Sequence, residues 1–337
     1  IMANEIHLPT EMRAISIKES GGPEMLEVTK VSLPTLKAND ILIKNSAVGV
    51  NRPDIAQRTG HYPVPADANP LPGLEVAGTV VAVGEETVNW NIGDKVMGLT
   101  HGGGYAEYSS VNFSHCLPWP KNFTPEMAAA VPENFYTVYY NIFMRSKLLK
   151  GEYFLVHGGS SGIGVAAIQL AKAKGAVVIA TAGSDEKCQF CLNQGADKVI
   201  NYKTEEWPKV AFDFTDGNGI DVVLDMVTGD YVQKEINIMA RDGRIALIAF
   251  LGGSKAEINF GRVLRDRITI SGSTLRPQTN NEKALITSRF SEDFTDLMNK
   301  GIVKPHIFRV FDLESASKAH ELMESSQHMG KIILKVI

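Results

Sequence analysis

The segment from Phe154 to Gly175 runs Phe-Leu-Val-His-Gly-Gly-Ser-Ser-Gly-Ile-Gly and continues into Val-Ala-Ala-Ile-Gln-Leu-Ala-Lys-Ala-Lys-Gly. It reads as a buried strand, a glycine-rich turn and an amphipathic helix, the pattern of a dinucleotide site. The turn lets the backbone approach a pyrophosphate, and the first helical amides, lacking intrahelical partners, bind anionic oxygens. The glycine fingerprint is imperfect: with Gly159 and Gly164 as its outer positions, Ser161 stands in the middle. Such turns also form where a helix packs closely on a strand without a ligand.

The chain downstream favours the dinucleotide. Strand patterns at Lys198–Ile200, Asp221–Met226 and Gly243–Ala249 alternate with helical stretches, which builds a parallel doubly wound α/β sheet. The strand Ala176–Ala182 ends in Gly183-Ser184-Asp185-Glu186-Lys187, without a carboxylate where an NAD ribose hydroxyl needs one. That absence favours NADPH.

At 337 residues and 44% hydrophobic content, the chain is long enough for two cores. Its net charge of −4 and lack of long basic blocks argue against nucleic acid as a specific partner. No apolar run reaches the roughly 18 to 20 residues of a membrane span, and no secretory signal pattern opens the chain, so a cytosolic protein with a small-molecule partner is expected. Cys188 and Cys191 share a helix side and read as small packing residues rather than a metal or redox pair; Cys116 is the third cysteine.

From Met12 to about Pro132, short β-rich runs such as Asp40–Lys44 and Val76–Val83 suggest a twisted β domain. Thr124 and Pro125 carry helix-start chemistry, and Phe135–Lys150 reads as a linking helix. The tail holds a helix over Leu313–Ser325 and a final strand over Gly330–Val336, and most simply returns to the first domain. The expected division is 12–132 with 276–337, 133–275 as the nucleotide domain, and 1–11 as an extension.

Several motifs carry a family resemblance along nearly the whole chain: Gly21-Gly-Pro-Glu24, Gly49-Val-Asn-Arg-Pro-Asp54, Arg58-Thr-Gly-His-Tyr62, Pro72–Gly78, Gly93–Val96, the turn His157–Gly164, Gly195–Asp197, Asn201-Tyr202 and Gly330-Lys331. The sequence resembles the zinc-free NADPH:quinone oxidoreductases related to zeta-crystallin, within the medium-chain dehydrogenase/reductase superfamily. It looks nearest the branch induced in animals by a tumour suppressor. The resemblance implies a Rossmann domain inserted into a discontinuous, mainly β, GroES-like catalytic domain, with the site in the cleft between them. It also implies a homodimer joined through the last Rossmann strand, here Ile268–Gly272, although that pattern equally suits a buried edge.

The superfamily's alcohol dehydrogenases place zinc ligands, a cysteine and a histidine, at the positions of Asn51 and Leu74. Neither ligand is present, and three cysteines cannot form a four-cysteine lobe. Without a Lewis acid, reduction of an electron-poor quinone or enone is favoured over alcohol oxidation. The expected function is transfer of hydride or single electrons from NADPH to a small quinone. Enone double-bond reduction, or NADPH binding with little turnover, are the alternatives.

Asn51 is assigned to orienting a quinone carbonyl or the nicotinamide carboxamide, against a local loop role. Asp54 reads as catalytic or as a loop holder. Tyr62 reads as a stacking or donating hydroxyl or as packing. A tyrosine common in the zeta-crystallin group is Ala56 here, which leaves the general acid unnamed. The resemblance carries Ser160, Ser161, Gly162, Ile163 and Gly164 onto the pyrophosphate, and Gly183, Ser184 and Lys187 onto the 2′-phosphate. Tyr202, Phe250, Leu251, Gly252, Ser273, Leu275 and Lys331 complete the expected cofactor set. Lys187 also reads as a solvated helix lysine, and Lys331 as an edge-strand lysine. Asp225, Thr228 and Glu75 read as architectural. The loops Tyr62–Leu71 and Phe260–Leu264 are expected to set the size of the substrate.

Overall fold

The computed structural model describes residues 7–337; the proposed extension at 1–11 therefore lies partly outside the described residues, and from Glu11 the chain is already in a strand. The first part contains β1 (Glu11–Ile17), β2 (Leu26–Ser32), β3 (Asp40–Gly49), α1 (Arg52–Arg58), β4 (Glu75–Val83), β5 (Lys95–Leu99), β6 (Tyr108–Asn112), β7 (Cys116–Pro118), α2 (Pro125–Ala129) and α3 (Pro132–Tyr139). The middle contains β8 (Tyr153–Val156), α4 (Gly162–Ala173), β9 (Val177–Ala182), α5 (Asp185–Asn193), β10 (Lys198–Asn201), α6 (Trp207–Phe214), β11 (Ile220–Asp225), α7 (Tyr231–Ile238), β12 (Met239–Leu247), α8 (Gly261–Arg265) and β13 (Thr269–Gly272). The tail adds α9 (Asn280–Asn299), β14 (Ile307–Asp312), α10 (Ala316–Ser325) and β15 (Lys331–Lys335).

Two compact units result. One comprises the described residues up to Glu133 together with Arg276–Ile337; the other is Asn134–Leu275. In the first, strands run in the order β14-β15-β3-β4-β5-β7, with β6 also on β3. β15 pairs antiparallel with β3, Ile333 opposite Gly49, which stitches the tail to the strand entering α1. Apolar residues on the inward faces of these strands, including Ile43, Val48, Val76 and Ile332, are fully buried together with Ala319 of α10.

In the second unit a parallel sheet runs β10-β9-β8-β11-β12-β13, the doubly wound arrangement expected from the alternating pattern. Its central strands are buried on both faces, as a sheet covered by helices requires. Its β8–α4 connection is local, so the glycine turn stands at the carboxyl end of the sheet.

The linking helix is shorter than the sequence suggested. After α3 comes a single π-helical stretch, Tyr140–Arg145, closed by the Ser146 amide on the Asn141 carbonyl. Lys147 then takes a left-handed φ of 51°, which a continuing helix does not tolerate. Thr124 does cap α2, its hydroxyl accepting from the Met127 amide at 3.2 Å. No described helix is long and apolar enough to cross a membrane.

Candidate active site

In the nucleotide-type unit, Ser161 caps α4: its hydroxyl accepts from the Gly164 amide at 3.0 Å and donates to the Gly158 carbonyl at 2.8 Å. Gly158 has φ +62°, a conformation glycine adopts without penalty. A Cβ on Gly164 would lie 2.3 Å from both the carbonyl carbon and the oxygen of Gly159. The turn can therefore be this tight only with glycine there. Ser160 is buried, whereas Gly162 and Ile163 are half-buried at the start of the helix. A tight glycine cradle at the N-terminus of a twelve-residue helix suits a pyrophosphate.

The neighbouring strand β9 ends at Ala182, followed by Gly183 and Ser184. Ser184 caps α5, accepting from the Lys187 amide at 3.2 Å, so its hydroxyl hydrogen remains a donor. Asp185, the nearest carboxylate, accepts from Asn201 Nδ2 at 3.0 Å. The Tyr202 hydroxyl would come within 2.8 Å of a Cβ on Gly183, and Lys203 Cε within 3.6 Å. Lys187 is half-buried and Lys203 exposed. Sequence reading named Lys187 but missed Lys203, which follows the noted Asn201-Tyr202 pair. The Asp185 carboxylate is engaged by Asn201, and the hydroxyls and lysines beside it suit a phosphate dianion.

Elsewhere in this unit, Asp225 accepts from the amides of Val227 and Thr228, and Thr228 donates to the Ala249 carbonyl; both act as turn architecture. Phe250 and Leu251 are 67% and 60% exposed and, with Gly252, form the turn after β12. Ser273 donates to Asn141 Oδ1 at 2.9 Å, and the side chain of Leu275 is buried.

The β-rich unit holds a second constellation. Asn51 lies between two groups of opposite charge: its Oδ1 accepts from Lys331 Nζ at 2.6 Å, and its Nδ2 donates to Glu75 Oε1 at 2.9 Å. Because an ammonium only donates and a carboxylate only accepts, the amide orientation is fixed. Lys331 Nζ and Glu75 Oε1 are 2.5 Å apart, with Lys331 3% and Glu75 0% exposed. Glu75 Oε2 takes the backbone amide of Glu133 at 2.8 Å. No group of three or more His, Cys, Asp and Glu side chains able to hold a metal occurs among the described residues. At the same locus, Leu74 is buried.

Asp54 lies in the first turn of α1. Its Oδ2 accepts from the Asn51 amide and from the Tyr105 hydroxyl, each at 2.8 Å. These bonds are those of a loop holder. Behind it runs a line of fixed polarity. Arg58 can only donate, so His320 Nδ1, 3.0 Å from Nη1, must accept, and His320 Nε2 carries the hydrogen that meets the Tyr105 oxygen at 3.0 Å. Arg58 also pairs with Glu324 and bonds the Gly21 carbonyl. Burial pushes His320 down to about 3, keeping it neutral, and pushes Asp54 up to about 6. Tyr105→Phe removes the hydroxyl linking buried Asp54 and His320. Urea unfolding should show a loss of about 1–3 kcal/mol; an unchanged midpoint would refute the line's structural value.

Tyr62 is half-buried, with the Arg276 guanidinium 5.7 Å above its ring. Arg276 donates to Gln57 Oε1 at 2.8 Å, while its Nε and Nη2 are buried without partners. Lys283, 4% exposed, lies 3.4 Å from His101 Nδ1. Arg276, Lys283, His320 and Glu133 escaped sequence reading, since each is an isolated residue far along the chain from Asn51. The structure thus brings Asn51, Asp54 and Lys331 into one buried cluster. It places Lys331 on Glu75 rather than at an open strand edge.

Comparison with known proteins follows the same two units. Residues 37–121 match the alcohol dehydrogenase GroES-like domain and residues 162–290 the family described as zinc-binding dehydrogenase. The chain is 33% identical to a quinone oxidoreductase of Rattus norvegicus over 328 residues, covering 96% of this chain and 97% of that protein. Among solved structures it is similar to the Escherichia coli quinone oxidoreductase complexed with NADPH, with a TM-score of 0.86 and 28% identity over 96% of this chain and 100% of the other. It is also similar to an NAD-dependent alcohol dehydrogenase, with a TM-score of 0.84 and 30% identity over 97% and 100% of the two chains.

Proposed function

The chain belongs to the quinone oxidoreductase family of the medium-chain dehydrogenase/reductase superfamily, and on that premise we propose an NADPH-dependent enzyme that reduces small quinones without zinc. The observation carrying this reading is the buried Asn51–Lys331–Glu75 cluster. At the locus where the superfamily's zinc enzymes hold metal, an ammonium already satisfies the carboxylate and the amide. An electron-poor quinone accepts hydride with far less electrophilic help than an alkoxide needs.

Bound NADPH would supply the hydride. The chain's own groups hold and orient it: Ser160, Ser161, Gly162, Ile163 and Gly164 take the pyrophosphate, and Gly183, Ser184, Lys187 and the added Lys203 take the 2′-phosphate, with Tyr202 beside them. Phe250, Leu251, Gly252, Ser273 and Leu275 are assigned to the nicotinamide end. In the β-rich unit, Tyr62 offers a ring face and a hydroxyl to the substrate, Asn51 orients, and Asp54 keeps the Asn51 loop in place. β13 pairs only with β12 among the described strands, and its free side is assigned to a second copy, giving a homodimer.

Purified protein should oxidise NADPH with 1,4-benzoquinone or an ortho-quinone, favour NADPH over NADH, and keep its rate after metal chelation. Loss of rate with a chelator, or preference for NADH, as the similarity to an NAD-dependent enzyme would have it, overturns the reading. An α,β-unsaturated ketone belongs in the same panel, because its faster turnover would shift the substrate class. Lys187→Ala with Lys203→Ala should weaken NADPH binding about 10- to 150-fold by calorimetry, the equivalent of one charge-assisted hydrogen bond of about 1.5–3 kcal/mol shared between two solvent-accessible lysines, and leave NADH binding nearly unchanged.

A further inference from the structure

Two-electron reduction of a quinone consumes one proton besides the hydride, and none of the groups assigned above supplies it. We propose that Glu133 is the general acid of this reaction, delivering its carboxyl proton to the quinone oxygen; the proposal rests on the quinone reading.

The placement follows from the backbone. The Glu133 amide, in the first turn of α3, donates to Glu75 Oε2. This seats the residue against the Asn51–Lys331–Glu75 cluster. Its own carboxyl makes no hydrogen bond or ion pair with the described residues. Unlike Glu75 and Asp54, at 0% and 1% exposure, Glu133 is only half-buried. It can therefore meet a substrate and be recharged from water.

The other acids nearby suit the step less well. Asp54 accepts two hydrogen bonds, which favour its ionised form. Burial raises the Tyr62 phenol, making it a weaker acid. The charged and titratable groups acting on Glu133 are Glu75, Lys331, Asp54 and Lys283, and it acts in turn on Tyr62 and Arg276. Burial first, then repulsion from Glu75, push its carboxyl up to about 8, with Lys331 opposing. At pH 7 it holds its proton, near the range in which a general acid works best.

The step balances. The quinone receives two electrons and one hydrogen as hydride from the reduced nicotinamide. The O–H bond of Glu133 breaks as a new O–H bond forms on the quinone oxygen, the product leaves as neutral hydroquinone, and solvent reprotonates the carboxylate.

The test compares wild type with Glu133→Gln. For wild type, kcat with 1,4-benzoquinone should be level at lower pH and fall as pH rises through about 8. The variant should lose about 10²- to 10⁴-fold at pH 7, lose the alkaline limb and bind NADPH with unchanged Kd. A readout independent of turnover is infrared titration: the wild-type-minus-variant difference should contain one carboxylic acid band at pH 7 that disappears through about pH 8. Absence of that band, or a variant with wild-type rate and pH profile, overturns the proposal while leaving quinone reduction standing. A wild type that consumes no NADPH with any quinone overturns the quinone reading, and the proposal with it.

Discussion

Lys331→Met should destabilise the protein by about 3–5 kcal/mol, because it leaves the Glu75 carboxylate and the Asn51 oxygen buried without their cation. Methionine fills a similar volume, so the loss is electrostatic rather than a cavity. The companion experiment separates these contributions: Lys331→Met combined with Glu75→Gln should recover most of the loss, since the glutamine oxygen can still accept from the Glu133 amide while its NH2 donates to Asn51 Oδ1, whose orientation the lysine no longer fixes. Urea unfolding at pH 7 reads both. A single variant as stable as wild type would mean that the pair is solvated and that its 2.5 Å contact contributes little.

The second large effect concerns the turn before α4. In an ordinary helix, alanine in place of glycine stabilises by about 0.5–1 kcal/mol. Gly164→Ala should do the opposite, because its Cβ meets the Gly159 backbone at 2.3 Å and a backbone cannot swing aside as a side-chain end can. Overpacking of this kind costs about 1–3 kcal/mol. If that strain is relieved by opening the turn, NADPH affinity should fall about 5- to 150-fold at 1.4 kcal/mol per decade. Calorimetric titration gives the number, and an unchanged or tighter Kd would show that the turn does not need its present closeness.

The two predictions differ in how far they were legible before the fold was known. Gly164 was named from its own neighbourhood, because strand, turn and helix are consecutive and their glycine spacing is a local steric requirement. Asn51, Glu75 and Lys331 were each noted separately, but their union was not. Asn51 and Lys331 are 280 residues apart and meet only because β15 returns to pair with β3. Glu133 was overlooked, since a glutamate after a proline at a helix start reads as an ordinary first-turn acid. The linking helix was drawn too long because hydrophobic spacing does not reveal a π-helical closure or the left-handed Lys147.

Sequence alone determined the parallel sheet, the glycine cradle and the serine that caps the helix after β9, since each depends on residues within one strand–turn–helix unit. Only the tertiary structure decided which charges are buried and who partners them: Lys331 on Glu75, Arg58 on His320, Glu133 with an unpaired carboxyl. The reason is physical. Backbone geometry is set by neighbours in the chain, whereas desolvation and electrostatic pairing depend on distance in space, and folding brings together residues that the sequence keeps far apart.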